Sequence, residues 1–82
     1  MSIHDVPAPL PGTFYPRESP SSPPFVSVGS TVAVGDQLGL IEVMKMFNPI
    51  AAEVAGTVVE ILVGAEDPVD VGDVLLRIEV AD

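Results

Sequence analysis

A ten-residue segment of this chain occurs twice in related form. Val34-Gly35-Asp36-Gln37-Leu38-Gly39-Leu40-Ile41-Glu42-Val43 is answered by Val71-Gly72-Asp73-Val74-Leu75-Leu76-Arg77-Ile78-Glu79-Val80, an offset of 37 residues. A weaker match pairs Gly12-Thr13 with Gly56-Thr57 at an offset of 44. A repeat this short cannot bury its own apolar face, so the two copies must share one core. From Phe25 onward, β-branched residues alternate with Gly, Ser and Asp, as in short strands joined by tight turns. No stretch carries a helical period of apolar residues. The expected fold is all-β: a flattened barrel or sandwich of about eight short strands in two halves related by a pseudo-two-fold axis.

The repeat also assigns faces, because side chains two apart on a strand share one. In the second copy Arg77 and Glu79 point to water, so Leu76, Ile78 and Val80 point inward and Leu75 outward. Transferred to the first copy, Gly39, Ile41 and Val43 point inward, and Leu40 and Glu42 outward. Ile41, Val43, Ile50, Leu76 and Ile78 are the expected core. The turn Met44-Lys45 then corresponds to Ala81-Asp82, so the lysine and the C-terminus should lie at opposite ends of the axis.

The two offsets differ by 7 residues, so the first half carries an excess between its anchors. Residues 3–8 and 12–15 read as short strands, the first at an edge because of its prolines. Pro16 to Pro24 (PRESPSSPP) is the one stretch that looks inserted. Four of its nine residues are proline, none of the others is apolar, and it cannot pair within a sheet. It is expected to be a loop or protrusion.

With 82 residues, the chain is read as one domain, residues 1–82, with a small core. It has no cysteine, hence neither disulfides nor thiolate metal sites. The formal net charge is −9, with Arg17, Lys45 and Arg77 the only basic side chains besides His4. That balance argues against nucleic acid and against an anionic membrane surface. No apolar run approaches a membrane span. The first residues lack the basic and apolar regions of a signal peptide, so the expected compartment is the cytoplasm. His4 has no Ser, Asp or Cys partner in a catalytic pattern, and the carboxylates are scattered.

One local rule is broken. In Glu42-Val43-Met44-Lys45-Met46-Phe47-Asn48-Pro49-Ile50 the only lysine of the chain sits between two methionines, flanked by strand-like segments. Met44-Lys45 should fall at or beside a hairpin tip, where Asn, Asp and Gly are favoured. Such violations tend to mark function. An exposed turn lysine offers a primary amine that, once neutral, can attack an activated acyl group. Met44 and Met46 are either filler for a loose turn or an adaptable apolar surface for partners. Glu42 is either a solubilising charge or a contact for a partner. Phe47 has the opposite parity from Asn48 and Ile50, which places it partly exposed beside Lys45.

Glu42-Val43-Met44-Lys45-Met46 resembles the Glu-Ala-Met-Lys-Met signature of biotin carboxyl carrier domains, with Val43 where that family has alanine. The resemblance covers nearly the whole chain. Pro9-Leu10-Pro11-Gly12-Thr13-Phe14-Tyr15 is similar to the opening of the acetyl-CoA carboxylase type, and Val34-Gly35-Asp36 and Gly56-Thr57-Val58 fall where the family has them. The resemblance implies biotin amide-linked to Lys45, with Met44, Met46, Glu42 and Val43 around it. It implies a non-catalytic carrier subunit that shuttles carboxybiotin between a biotin carboxylase and a carboxyltransferase after loading by a biotin protein ligase. In the acetyl-CoA carboxylase type a thumb follows the Gly-Thr-Phe-Tyr strand and folds toward the biotin. Residues 16–24 occupy that place, and Arg17, Glu18, Ser19, Pro20, Ser21 and Ser22 are its candidate contacts, with Met44 and Met46 beneath. Rival readings are a carrier for a urea- or amide-type carboxylase, a lipoyl carrier, which usually has Asp-Lys-Ala-like neighbours, and an unmodified interaction module.

Overall fold

The computed structural model describes residues 1–81. Among them are eight strands: β1 (Ser2–Pro7), β2 (Gly12–Tyr15), β3 (Thr31–Val32), β4 (Gln37–Val43), β5 (Met46–Ala51), β6 (Gly56–Ile61), β7 (Asp67–Val69) and β8 (Val74–Val80). They form two four-stranded antiparallel sheets, ordered β1-β8-β6-β3 and β5-β4-β2-β7. Exchanging β1 with β5, β2 with β6, β3 with β7 and β4 with β8 converts one order into the other. The two related halves expected from the repeat are therefore present. No helix is long and apolar enough to cross a membrane among the described residues.

The symmetry reaches individual hydrogen bonds. The Ala33 N–H donates to Asp36 Oδ2 at 2.8 Å, and the Asp70 N–H donates to Asp73 Oδ2 at 2.8 Å. These bonds satisfy the turns that open β4 and β8, the role expected of Asp beside Gly. Gly12 and Gly56 are also equivalent. A Cβ on Gly12 would strike the Glu42 carbonyl, and one on Gly56 the Glu79 carbonyl. Only glycine lets these strands pass so close.

Phe14, Leu38, Ile41, Val58, Leu75, Leu76 and Ile78 fill the space between the sheets. Ile41, Ile50, Leu76 and Ile78 are buried as expected. Val43 is only half-buried, because it ends β4 next to the open hairpin. Leu75 is not outward but fully buried, and so is its repeat partner Leu38. The cause is a pair of bulges. Gln37 and Gly39 oppose Ala51 and Ile50, which leaves Leu38 as the extra residue; Val74 and Leu76 oppose Pro7 and Val6, which leaves Leu75. A bulge re-aims the unpaired side chain, here into the core.

The extra length of the first half lies between β2 and β3, where the offsets place it. The segment 16–24 nevertheless makes sheet-like contact at its base, contrary to expectation. Arg17 and Pro24 form an isolated antiparallel bridge, and the Phe25 N–H donates to the Pro16 carbonyl at 2.9 Å. Proline lacks an N–H but keeps its carbonyl, so it can close such a base as an acceptor. Asp82 lies outside the described residues, so the equivalence of Met44-Lys45 with Ala81-Asp82 cannot be followed to its end.

Candidate functional site

β4 and β5 pair from Val43↔Met46 downward, so only Met44 and Lys45 lie between them. Their φ angles are 51° and 67°. Two successive left-handed residues make the turn whose twist matches the flanking strands. For residues with a Cβ that conformation costs about 1–2 kcal/mol each. The chain accepts this cost at its only lysine. Lys45 and Met44 are exposed, as are Met46 and Phe47.

The strands below hold the turn steady. The Asn48 side-chain N–H donates to the Ile41 carbonyl at 3.2 Å and to the Met46 carbonyl at 3.3 Å, tying β5 to β4 and bracing the turn residues between. On the outer face Tyr15 Oη donates to Glu42 Oε1 at 3.2 Å. The Tyr15 ring meets Phe47 edge to face. Partial loss of solvent, and then the nearby carboxylates of Glu42 and Glu66, raise the Tyr15 phenol above its ordinary range. Each of these effects disfavours the phenolate.

The segment after Tyr15 is closed by its own polar groups. The Ser22 N–H donates to the Ser19 carbonyl at 3.0 Å, Arg17 Nη1 to the Ser22 carbonyl at 3.3 Å, and the Ser19 and Ser22 hydroxyls lie 2.8 Å apart. A groove of about 280 Å³ runs between this segment, Phe47 and the turn at Ala65 and Glu66. Arg17, Glu18, Ser19 and Pro20 line it, together with Tyr15 and Pro16. Ser21 and Ser22, expected to line it too, do not. Nor do Met44 and Met46; the apolar floor beneath the segment is Tyr15 and Phe47.

Lys45, Met44, Met46, Val43 and Glu42 are thus gathered at one hairpin. The groove begins on the outer face of the same sheet, at Phe47, two residues beyond Lys45. Sequence reasoning set Phe47 outside by parity but did not join it to Tyr15, and it missed Asn48 and Glu66. The only available signal was that Tyr15 directly precedes the proline-serine segment. Chemically, the site offers an unhindered primary amine on a rigid turn. Next to it is a cleft with aromatic walls and polar rims.

Residues 4–78 match the family model described as biotin-requiring enzyme. The chain is 46% identical over 74 residues to the biotin carboxyl carrier protein of acetyl-CoA carboxylase from Streptococcus pyogenes, covering 90% of this chain and 45% of that protein. It spans about half the length of the curated relatives it matches. Its fold is similar to part of a single-chain, multi-domain long-chain acyl-CoA carboxylase, with TM-score 0.81, 29% identity, and coverage of 98% of this chain and 7% of that one. It is also similar to part of the Kluyveromyces lactis urea carboxylase, with TM-score 0.78, 26% identity, and coverage of 96% and 6%.

Proposed function

The chain belongs to the biotin-requiring enzyme family, and from that premise we propose that it carries biotin on Lys45 as the carboxyl carrier of an acetyl-CoA carboxylase. One observation carries the assignment to Lys45: the only lysine stands exposed on a left-handed two-residue turn that local energetics would give to Asn or Gly. The curated relatives it matches at 44–46% identity are carriers of acetyl-CoA carboxylase, which favours an acyl-CoA acceptor.

The residues present fit the cofactor. Nζ of Lys45 can reach into a ligase, and as the free amine it attacks an activated carboxyl carbon; the bond to the activating group breaks, that group departs, and nitrogen gives up a proton as the amide forms. Biotin, once attached, supplies the ureido nitrogen that takes up and gives back the carboxyl group. The protein supplies position. The hairpin holds the lysine stem away from the body, and Asn48 and Tyr15 keep the hairpin from swinging. Residues 16–24 act as a thumb, and Arg17, Ser19, Pro20, Tyr15 and Phe47 would hold the cofactor ring in the groove. A biotin protein ligase, a biotin carboxylase and a carboxyltransferase are the partners of this reading. Tethering raises the effective concentration of the carried group at both catalytic subunits.

Incubation with a biotin ligase, ATP and biotin should add one biotin to the intact mass. Lys45→Arg retains the charge but offers guanidinium, a poor nucleophile, and should add none. Biotin retained by Lys45→Arg, or lipoate in its place, rules the reading out.

A further inference from the structure

Two of the three methionines flank the loading lysine, and neither is packed. Met44 is 91% exposed and Met46 is 70% exposed. The backbone sets this exposure. Met44 occupies a left-handed position at the tip, and Met46 shares the parity of buried Ile50 but lies beyond the end of the core. A core methionine is shielded by its neighbours, whereas thioethers at this level of exposure are open to oxidants in solution. Oxidation there turns an apolar side chain into a polar one without touching the core.

We propose that Met44 and Met46 form a sulfoxidation site that controls loading of Lys45, with hydrogen peroxide or another hydroperoxide as oxidant. The thioether sulfur donates an electron pair to one peroxide oxygen. The O–O bond breaks as the S–O bond forms. The departing oxygen takes up the proton of the transferred oxygen and leaves as water or alcohol. Sulfur loses two electrons and the hydroperoxide gains them. The consequence for loading rests on the reading of Lys45 as the biotin site. A ligase that accepts Lys45 must cover the residues on either side of it. A sulfoxide pressed into that contact without a hydrogen-bond partner disfavours the complex. Met1 serves as the internal control. It is also exposed, but β1 runs from it toward Ala8–Pro11 and so to Gly12, which lies level with the hairpin; Met1 is therefore at the far end of the molecule.

The test uses the unbiotinylated 82-residue chain, exposed to hydrogen peroxide under native conditions and then treated with catalase. Peptide mass mapping should place one oxygen on each of Met44 and Met46. Loading by a biotin ligase, followed by intact mass, should be about tenfold slower. The melting profile should not move. Methionine sulfoxide reductases should restore the rate. Met44→Leu/Met46→Leu should load at a rate indifferent to peroxide although Met1 still oxidises. Unchanged loading with both sulfoxides formed overturns the proposal, and so does equal slowing of the double-leucine chain. Should that variant load poorly from the start, recovery with the reductases decides the question on the natural sequence. An untreated chain that takes no biotin overturns the reading of Lys45 and this inference with it, so the two failures are distinguishable.

Discussion

Tyr15 and Phe47 meet across a strand that lies between them. β2 and β5 each pair with β4 and not with each other, yet the two rings stand edge to face with centroids 5.7 Å apart. Aromatic pairs in this geometry add about 0.5–1.5 kcal/mol beyond their burial. With the Tyr15–Glu42 hydrogen bond, the pair ties the lysine hairpin to the strand that feeds the 16–24 segment. The root of that segment and the hairpin are thus mechanically joined through one tyrosine.

Tyr15 is the only tyrosine, so ultraviolet titration of the phenolate band reads it directly. Its midpoint should lie above that of the denatured chain, because partial desolvation and then the Glu42 hydrogen bond and charge favour the neutral phenol. Glu42→Gln removes the charge and should lower the midpoint. The native state holds this proton longer than the unfolded chain. Stability is therefore full below the ordinary phenol value of about 10 and falls as pH rises through the raised one. A native midpoint at or below the denatured one refutes the contact.

Met44→Asn should stabilise the protein by about 0.5–1 kcal/mol in chemical denaturation, since Asn tolerates the left-handed region better than Met. Loading of Lys45 should slow in the same variant. A stability gain together with lost loading would show that methionine is kept at Met44 for recognition and not for folding.

Ile78→Ala and Leu75→Ala should each cost about 2–5 kcal/mol, the range for emptying a buried aliphatic site. Val80→Ala should cost much less, because Val80 is only partly covered. Leu75 is the discriminating position. Strict alternation along β8 makes it a surface residue, whereas the bulge makes it core. A loss under 1 kcal/mol at Leu75 would contradict the bulge.

Replacing Pro16 to Pro23 by Gly-Ser should leave the protein folded, because no residue of the segment is in the core. Lys45 should still load. The attached biotin should gain mobility in NMR relaxation, and transfer of its carboxyl group should change. Unaltered mobility together with unaltered transfer would reduce the segment to a plain loop.

The repeat by itself determined the two-half all-β architecture and the place of the extra residues between β2 and β3, and the strand-like segments on either side of Lys45 determined its hairpin. Alternation set Glu42 and Phe47 on the outside and Ile41, Ile50 and Ile78 inside. These features are local or periodic, so a single strand carries them. The burial of Leu38 and Leu75 was decided by tertiary structure, because a bulge exists only as an extra residue against a neighbouring strand. So was the partial exposure of Val43, which ends β4 beside the open hairpin. The groove was decided in the same way: Tyr15, Phe47 and Glu66 are brought together by strand order, and strand order is a property of pairing between distant segments that no stretch of the chain encodes alone.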